Sequence, residues 1–315
     1  MPETPTATDA AAVPGPFLAA EAEGRSILLE HEVYGLLSES GVAAPRHRLV
    51  TTADSVDDDL CASLGSDEAV VKIVSPHLLH KSDVGGVVVC SNEAAALKAS
   101  VSRVLESVRA VTLEARIDGV LVAERVRFRA GLGRELLAAI RHDPAFGPVV
   151  VLGVGGLDTE ALLGSLRPER ARAMLQATGL TAAAVTEALR GTLVHEALTG
   201  QLRSSREAAV AEDGLIEVVL ALGRLAEEWA GFEPAGGLGL SELELNPLVA
   251  AEDGRLVALD GLARLHRPEP LAPPRPVARL RHLLIPQSAV VIGASADGMN
   301  PGRIILRNLA EGGGI

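Results

Sequence analysis

The sequence predicts an α+β protein with two subdomains, because short strands and amphipathic helices are interspersed along most of its 315 residues. Its 48% apolar content can fill the cores of such a fold, although aromatic residues make up only 2%. A proline-rich segment, HRPEPLAPPRP, predicts a linker near the end of the chain. We therefore expect a disordered tail over residues 1–24, a main domain over 25–265, a linker over 266–283 and a last unit over 284–315.

Apolar periodicity predicts the elements of the main domain in chain order. Helices are expected at residues 25–40, 54–64, 93–111, 167–177, 181–189 and 207–230. A strand is expected at 47–50, a hairpin at 70–89, three strands of one sheet at 120–126, 135–140 and 149–154, and a closing hairpin at 243–263. A cleft is expected between the two subdomains, where a ligand would bind.

The overall charge limits which classes of partner this protein can bind. With 41 acidic and 29 basic side chains, the formal charge is −12, which argues against nucleic acid or an anionic membrane as a partner. A nucleotide, which needs only a few cations, is compatible with it. Cys61 and Cys90 lie in no metal or redox spacing, and no apolar run reaches the ~18 residues of a membrane span. The N-terminus lacks the pattern of a signal peptide, so we expect a cytoplasmic protein.

The hairpin at 70–89 has the composition of a phosphate site. Lys72 lies within its apolar first strand, and its loop carries His80, Lys81, Ser82, Gly85 and Gly86. Lysine is a compact point charge for phosphate, and glycine lets backbone N–H groups approach anionic oxygens. This pattern favours a nucleotide triphosphate; a surface hairpin with a solvated basic tip is the alternative.

The closing hairpin predicts a pair of metal ligands. Its three-residue loop, Glu252 to Gly254, pairs Ala251 with Arg255, and the same register pairs Asn246 with Asp260. Directly opposed residues have Cβ atoms ~4.5–5.5 Å apart, so their side-chain oxygens can share a hard cation such as Mg²⁺. Glu242 and Glu244 make the same face acidic. The alternative is an acidic face exposed to solvent.

Glycine turns mark two further positions. Gly153, Gly155 and Gly156 end the apolar run GPVVVLGVGG, where backbone can approach a ligand or simply turn. In the last unit, a strand at 288–292, Gly-Ala-Ser at 293–295 and a helix at 301–309 predict the first βα unit of a Rossmann-like, nucleotide-binding domain.

Several segments resemble one known family in the same order along the chain. VVKIVSPHLLHKSDVGGV, GVLVAERV, GRELLAAIRHDPAFGPVVVLGVGG, SELELNPLV and LVALDGLAR resemble the ATP-grasp half of the NDP-forming acyl-CoA synthetases, which include ADP-forming acetate–CoA ligase. The resemblance runs from about Ser26 to Leu265. It implies an ATP-grasp fold, and the last unit resembles the start of the CoA-binding Rossmann domain that follows this half in fused members.

The resemblance implies roles for individual residues. Glu124 matches a glutamate that meets the adenine, Glu135 matches a second glutamate of the ATP site, and the loop with Gly155 and Gly156 matches one that borders the phosphates. Asn246 and Asp260 match the metal ligands, and Glu244 matches a glutamate that orients a phosphohistidine. His80 matches either a second phosphoryl carrier or a residue that only binds the triphosphate.

The resemblance implies the reaction acyl-CoA + ADP + phosphate ⇌ carboxylic acid + CoA + ATP, through a phosphohistidine and with Mg²⁺. The expected partners are a nucleotide and, through a downstream domain, CoA and a small carboxylic acid, in a homo-oligomer when full length. We expect this chain alone to be inactive as a ligase. Two alternatives stay open: a degenerate nucleotide- or CoA-sensing regulatory module, and a carboxylate–amine ligase, which HKSDVGG disfavours.

Overall fold

The computed structural model describes residues 13–78, 81–111, 115–156, 159–203, 206–232, 234–267, 284–285 and 287–312. The chain divides into two compact units, Met1–Pro268 and Glu269–Ile315. The first unit is built from two sheets, whose paired strands are all antiparallel, and from surrounding helices. This mixed content confirms the predicted α+β class. Within the described ranges, no helix combines the length and the apolarity that a membrane crossing requires.

The elements of the first unit are numbered in chain order. The strands are β1 (Ile27–Leu28), β2 (His47–Val50), β3 (Glu68–Val74), β4 (Val87–Ser91), β5 (Gly119–Glu124), β6 (Glu135–Asp143), β7 (Gly147–Val154), β8 (Arg172–Gln176), β9 (Gly239–Ala250), β10 (Leu256–Ala258) and β11 (Gly261–His266). The helices are α1 (Gly15–Ala22), α2 (Glu30–Ser40), α3 (Asp58–Leu64), α4 (Ala94–Val111), α5 (Thr159–Ser165), α6 (Pro168–Ala171), α7 (Ala182–Leu189), α8 (Leu193–Leu198) and α9 (Glu212–Trp229).

The smaller sheet has the strand order β2-β5-β3-β4. Val71 and Ile73 of β3 are fully buried in one core with Leu97, Val101 and Val104 of α4. Because side chains alternate across a strand, Lys72 lies on the opposite face, away from this helix. Helix α4 covers one face of the smaller sheet, and Lys72 lies on the other face, which borders the cleft.

The larger sheet has the order β1-β11-β9-β6-β7-β8, with β10 paired to β9. Its core is shared with α2 and with the apolar face of α9, where Leu215, Val219 and Leu222 are fully buried. Helix α2 ends at Ser40, and Gly41 after it, with a φ of 84°, forms a left-handed cap. Helix α2 packs beside β11 and begins at the edge of the cleft.

The register predicted for the closing hairpin is confirmed. The Ala251 N–H donates to the Arg255 carbonyl oxygen at 2.9 Å, and the Asn246 N–H donates to the Asp260 carbonyl oxygen at 3.3 Å. The same register continues into β11, where Leu262 pairs with Glu244. Turn geometry and strand alternation were therefore sufficient to place residues 246 and 260 side by side.

The helices predicted at 54–64 and 207–230 begin later in the structure, at Asp58 and Glu212, and three other predicted elements differ more. The strand at 120–126 was expected in one sheet with β6 and β7, but β5 belongs to the smaller sheet because it pairs with β2 and β3. The helix predicted over 167–177 is only α6 followed by β8, in which Ala173 and Leu175 are buried and Met174 is exposed, the alternation of a strand. Helix α2 begins at Glu30, because residues 27–28 pair with β11.

The expected N-terminal tail is also shorter than predicted. Residues 1–12 lie outside the described part of the chain, but residues 15–22 form α1. Phe17 is fully buried, with its ring 5.4 Å from that of Trp229, and Ala20 is fully buried as well. The burial of these two side chains in the core of the first unit accounts for an ordered helix where a disordered tail was expected.

The second unit is described for residues 284–285 and 287–312. It contains α10 (Pro301–Glu311), which begins after the capping residue Asn300 and agrees with the predicted helix. No strand forms at 288–292 within the described residues, so the predicted β-strand of a Rossmann unit is wrong for this structure. A strand needs a neighbour to satisfy its backbone groups, and this unit offers no second extended segment among those residues. Most of the predicted linker, residues 268–283, lies outside the described ranges.

Candidate functional site

A cavity of about 230 Å³ opens between the two sheets of the first unit. It is lined from the smaller sheet by the end of β3 and the turn after it, and from the larger sheet by β9, β11 and the start of α2. Its polar lining residues are Glu30, Ser75, Lys81, Glu244, Asn246 and Asp260. Four of these six were predicted from the sequence as site residues: Lys81, Glu244, Asn246 and Asp260.

Lys72 enters this region from the middle of β3. Its ammonium group donates to Glu30 Oε1 at 2.6 Å and to the Leu259 carbonyl oxygen at 2.6 Å, and lies 3.3 Å from the Tyr34 hydroxyl. These three partners account for the three donors of an ammonium group. Lys72 therefore adds positive charge beside the cavity while it ties β3 to α2 and to the closing hairpin.

Lys81 reaches the same acid from the turn after β3. Its ammonium group contacts Glu30 Oε2 closely and lies 3.4 Å from Asp260 Oδ1. Two backbone hydrogen bonds hold the turn. The Gly86 N–H donates to the Lys81 carbonyl oxygen at 2.8 Å, and the Gly85 N–H donates to the Ser82 carbonyl oxygen at 3.1 Å. The two glycines thus stabilise the turn from which the Lys81 side chain enters the cavity. Ser82, in the same turn, is exposed.

Glu30 joins the two lysines, and sequence analysis missed it. Its side chain is only 2% exposed. Burial alone would raise the pKa of Glu30, but the charges of Lys72 and then Lys81 outweigh it and hold that pKa at about 2. Tyr34, one helical turn later, lies 2.6 Å from Glu30 Oε1, and its pKa is raised by burial and by Glu30. The signal in the sequence was an acid placed four residues before a buried tyrosine.

We call Glu30, Tyr34, Lys72 and Lys81 the Glu30 cluster. The chain has only three lysines, and two of them meet here; the third is Lys98. One carboxylate against two ammonium groups leaves the cluster with a net positive charge. In the described part of the chain Lys81 has two partners, so its third donor is available to a ligand in the cavity.

Asn246 and Asp260 lie beside this cluster with their side-chain oxygens fixed. Asn246 Oδ1 accepts from the Gly156 N–H at 2.9 Å, and Asp260 Oδ1 accepts from the Gly261 N–H at 2.9 Å. The Asp260 side chain is 47% exposed. No group of three or more His, Cys, Asp or Glu side chains suits a metal among the described residues. An amide and a carboxylate oxygen beside the cationic Glu30 cluster nevertheless fit Mg²⁺, which takes few protein ligands.

The loop after β7 meets this oxygen pair through its glycines. The Gly155 N–H donates to the Glu135 carbonyl oxygen at 2.8 Å. Gly156 has a φ of 86°, and a Cβ built there would lie 2.5 Å from Glu135 Oε2. Only glycine lets this turn approach β6 so closely. Gly155 therefore joins this loop to Glu135, and Gly156 joins it to Asn246; the role of these residues at an ATP site stays a prediction.

Glu244 stands between this cavity and a second one. The second cavity, about 300 Å³, lies over the exposed face of β6, β7 and β8 and is lined by apolar residues with Arg141, Arg172 and Glu244. Arg141 lies 2.7 Å from Glu242 and 3.9 Å from Glu244. This arginine and Arg264, 3.4 Å from Glu242, supply positive charge opposite the acidic face of Glu242 and Glu244.

Glu124 lies away from these residues. Its carboxylate accepts from the backbone N–H of Arg46 at 2.9 Å and from the guanidinium of Arg46 at 2.8 Å. Both residues line another cavity, of about 330 Å³, with residues 125–127 and the turn between β9 and β10. The predicted adenine contact of Glu124 is therefore not part of the cavity that holds Lys81 and Asp260.

His80, the predicted phosphoryl carrier, lies outside the described residues. The described residues on either side of it, Leu78 and Lys81, both line the cavity of about 230 Å³. The role of His80 stays a prediction.

Comparison with known proteins places this geometry in a family. Residues 19–265 match the family described as an ATP-grasp domain. The chain is 35% identical to 4-hydroxybutyrate–CoA ligase (ADP-forming) of Nitrosopumilus maritimus over 141 residues, which are 44% of this chain and 19% of that ligase. It is 26% identical over 237 residues to the beta subunit of acetate–CoA ligase (ADP-forming) I of Pyrococcus furiosus, covering 75% of this chain and 91% of that subunit. The chain thus spans a small part of the first ligase and most of the second protein.

Solved structures give the same result. An acetyl-coenzyme A synthetase from Ca. Korarchaeum cryptofilum, in complex with coenzyme A and Ca-AMPCP, superposes with a TM-score of 0.65 at 28% identity, covering 79% of this chain and 97% of that one. Another structure of that synthetase holds Mg-AMPPCP, with its phosphohistidine segment pointing towards its nucleotide binding site; there the TM-score is 0.60, the identity 25%, and the coverage 80% and 98%. The chain therefore belongs to the ATP-grasp domain family, as a homologue of the beta subunits of ADP-forming acetate–CoA ligases.

Proposed function

We propose that this chain is the nucleotide-binding half of an ADP-forming acyl-CoA synthetase, which interconverts acyl-CoA + ADP + phosphate with a carboxylic acid + CoA + ATP. The observation that carries the proposal is the convergence of Lys81, Glu244, Asn246 and Asp260 on one cavity, with Lys72 beside it. These residues come from separate parts of the chain, and each suits a charged phosphate or its counter-ion. The homologues named above are ligases, which does not favour the regulatory alternative.

In this proposal the Glu30 cluster attracts the phosphates of the nucleotide. Lys81 donates to a phosphate oxygen, and Lys72 contributes charge from behind it. Asn246 and Asp260 would hold Mg²⁺, which when bound neutralises phosphate charge as phosphoryl transfer requires. The orientation of Asn246 by Gly156 couples the glycine loop to that pair.

His80 is proposed as the phosphoryl carrier. When ATP is consumed, an imidazole nitrogen of His80 would attack the γ-phosphorus; a P–N bond forms while the bond from phosphorus to the bridging oxygen breaks, and ADP leaves. Glu244 would orient the phosphohistidine from the boundary of the two cavities. The CoA and the carboxylic acid would be supplied by a further domain.

The test is phosphorylation of the protein by γ-labelled ATP with Mg²⁺. We expect an acid-labile, base-stable label that His80→Asn abolishes, while affinity for ADP stays within about twofold because asparagine keeps a donor. His77→Asn is the matched control, because His77 is an exposed histidine of the same loop. If His80 only binds ATP, the label is absent and His80→Asn weakens ADP binding. If the His80→Asn protein is labelled by γ-labelled ATP as fully as wild type, His80 is not the phosphoryl carrier.

A further inference from the structure

Glu30 is a buried acid that the proposed chemistry does not use. It touches both lysines of the cluster, yet it neither lies among the proposed metal ligands nor can attract phosphate. We infer that Glu30 is a positioning residue that draws Lys81 to itself and keeps the contact of Lys81 with Asp260 weak, so that Asp260 stays available to a divalent cation. This inference rests on the proposed function, because it concerns the cation side of the same site.

The position of Glu30 in the fold suits this task. It is the first residue of α2, and the Leu29 N–H before it is bound by Glu32 at 2.6 Å, which fixes the start of the helix. Tyr34 and Lys72 both contact Glu30 Oε1, so that this oxygen is locked from two sides. The second oxygen, Oε2, is left for Lys81.

Lys81 contacts two carboxylates, and its contact with one of them is stronger than its contact with the other. Its contact with Glu30 is close, whereas Asp260 Oδ1 lies at 3.4 Å. The Glu30 side chain is 2% exposed and that of Asp260 is 47% exposed. Charges attract more strongly where water is excluded, so Glu30 is the dominant partner of Lys81.

Removing the charge of Glu30 should therefore strengthen the contact between Lys81 and Asp260. Lys81 would keep its positive charge, and Asp260 is the nearest remaining acid within reach of its ammonium group. A close Lys81–Asp260 pair would compete with a cation for the same carboxylate. Glu30 would thus control cation binding without touching the cation.

The first measurement needs no ligand and uses the three lysines as probes. Protein labelled with ¹³C and ¹⁵N at the lysine side chains should give three amine signals, assigned by single substitutions. In wild type, Asp260→Asn should move the Lys81 signal slightly, because Glu30 is its main partner. In Glu30→Gln the same substitution should move it several times more, while the exposed Lys98 does not respond. Equal movement in both backgrounds would overturn the inference.

The second measurement is the gain in ADP affinity that Mg²⁺ provides, taken as the ratio of Kd values without and with Mg²⁺. Glu30→Gln should reduce this ratio about tenfold, and the double variant Glu30→Gln/Lys81→Gln should restore it, because the competitor for Asp260 is gone. Absolute affinity falls in the double variant, but the ratio does not depend on it. A ratio that stays low after Lys81 is removed would mean that Glu30 acts only on the stability of α2.

Two further comparisons keep the outcomes distinct. Glu32→Gln is the matched control, since Glu32 lies in the same turn but pairs with Arg25 at 2.8 Å, and it should leave the ratio unchanged. If Glu30→Gln does not fold, Glu30→Asp replaces it, because the shorter carboxylate keeps a charge for Lys72 but cannot reach both ammonium groups. If wild type shows no gain with Mg²⁺, the proposed function fails, whereas the lysine signals still decide the role of Glu30.

Discussion

Replacing Glu30 by glutamine should change the pH dependence of stability as well as stability itself. Burial alone would raise the pKa of this carboxylate, but Lys72 and Lys81 hold it at about 2, against an ordinary value of 4.5. That difference corresponds to about 3 kcal/mol of folding free energy at neutral pH. Because the pKa is lower in the folded state, this contribution is complete above pH 4.5 and is lost as the pH falls from 4.5 towards 2.

The assay is urea unfolding at a series of pH values, followed by the fluorescence of Trp229, the only tryptophan. Wild type should be more stable than Glu30→Gln at neutral pH by about 3–5 kcal/mol, the cost of breaking a buried ion pair. The difference should shrink by about 2 kcal/mol between pH 6 and pH 3, since only wild type must protonate this group. Glu32→Gln controls for the loss of an acid from the same helical turn. A wild-type advantage that is constant from pH 6 to pH 3 would refute the reasoning.

Two further predictions concern packing around the site. Gly156→Ala should cost about 1–3 kcal/mol through its positive φ, with a further loss because the added Cβ meets Glu135, whereas Gly254→Ala, with φ 83° and open space, should show only the first cost in urea unfolding. Phe17→Ala should cost about 3–5 kcal/mol and shift the Trp229 emission, because it opens a cavity against that ring; an unchanged stability would mean that α1 does not contribute to the core.

Local rules predicted the parts of the site that depend on alternation and turn type. The loop ending at Gly254 fixed the register that pairs Asn246 with Asp260, and a lone lysine in an apolar strand identified Lys72. The resemblance to a family added the grouping of Gly156 with the phosphate side. These features are set by residues near one another in the chain or by motifs.

What the sequence did not reveal depends on tertiary contacts. In the sequence Glu30 is an ordinary acid within a predicted helix, and only the meeting of α2 with β3 and the following turn makes it a buried partner of two lysines. Strand β5 has the same apolar pattern as β6, and only its pairing with β3 assigns it to the smaller sheet. The pairing of Glu124 with Arg46, 78 positions away in the chain, also depends on tertiary contacts, and the adenine contact of Glu124 stays a prediction.

The central claim is that the Glu30 cluster and the Asn246–Asp260 pair form one site for a nucleotide with its cation. Calorimetric titration of the full chain with ADP and Mg²⁺ tests it most directly. We predict binding that Lys72→Ala and Asp260→Ala each weaken by at least about tenfold, and that Lys98→Ala, which removes the one lysine outside the cluster, leaves unchanged. Equal affinity in wild type, Lys72→Ala and Asp260→Ala would contradict the account.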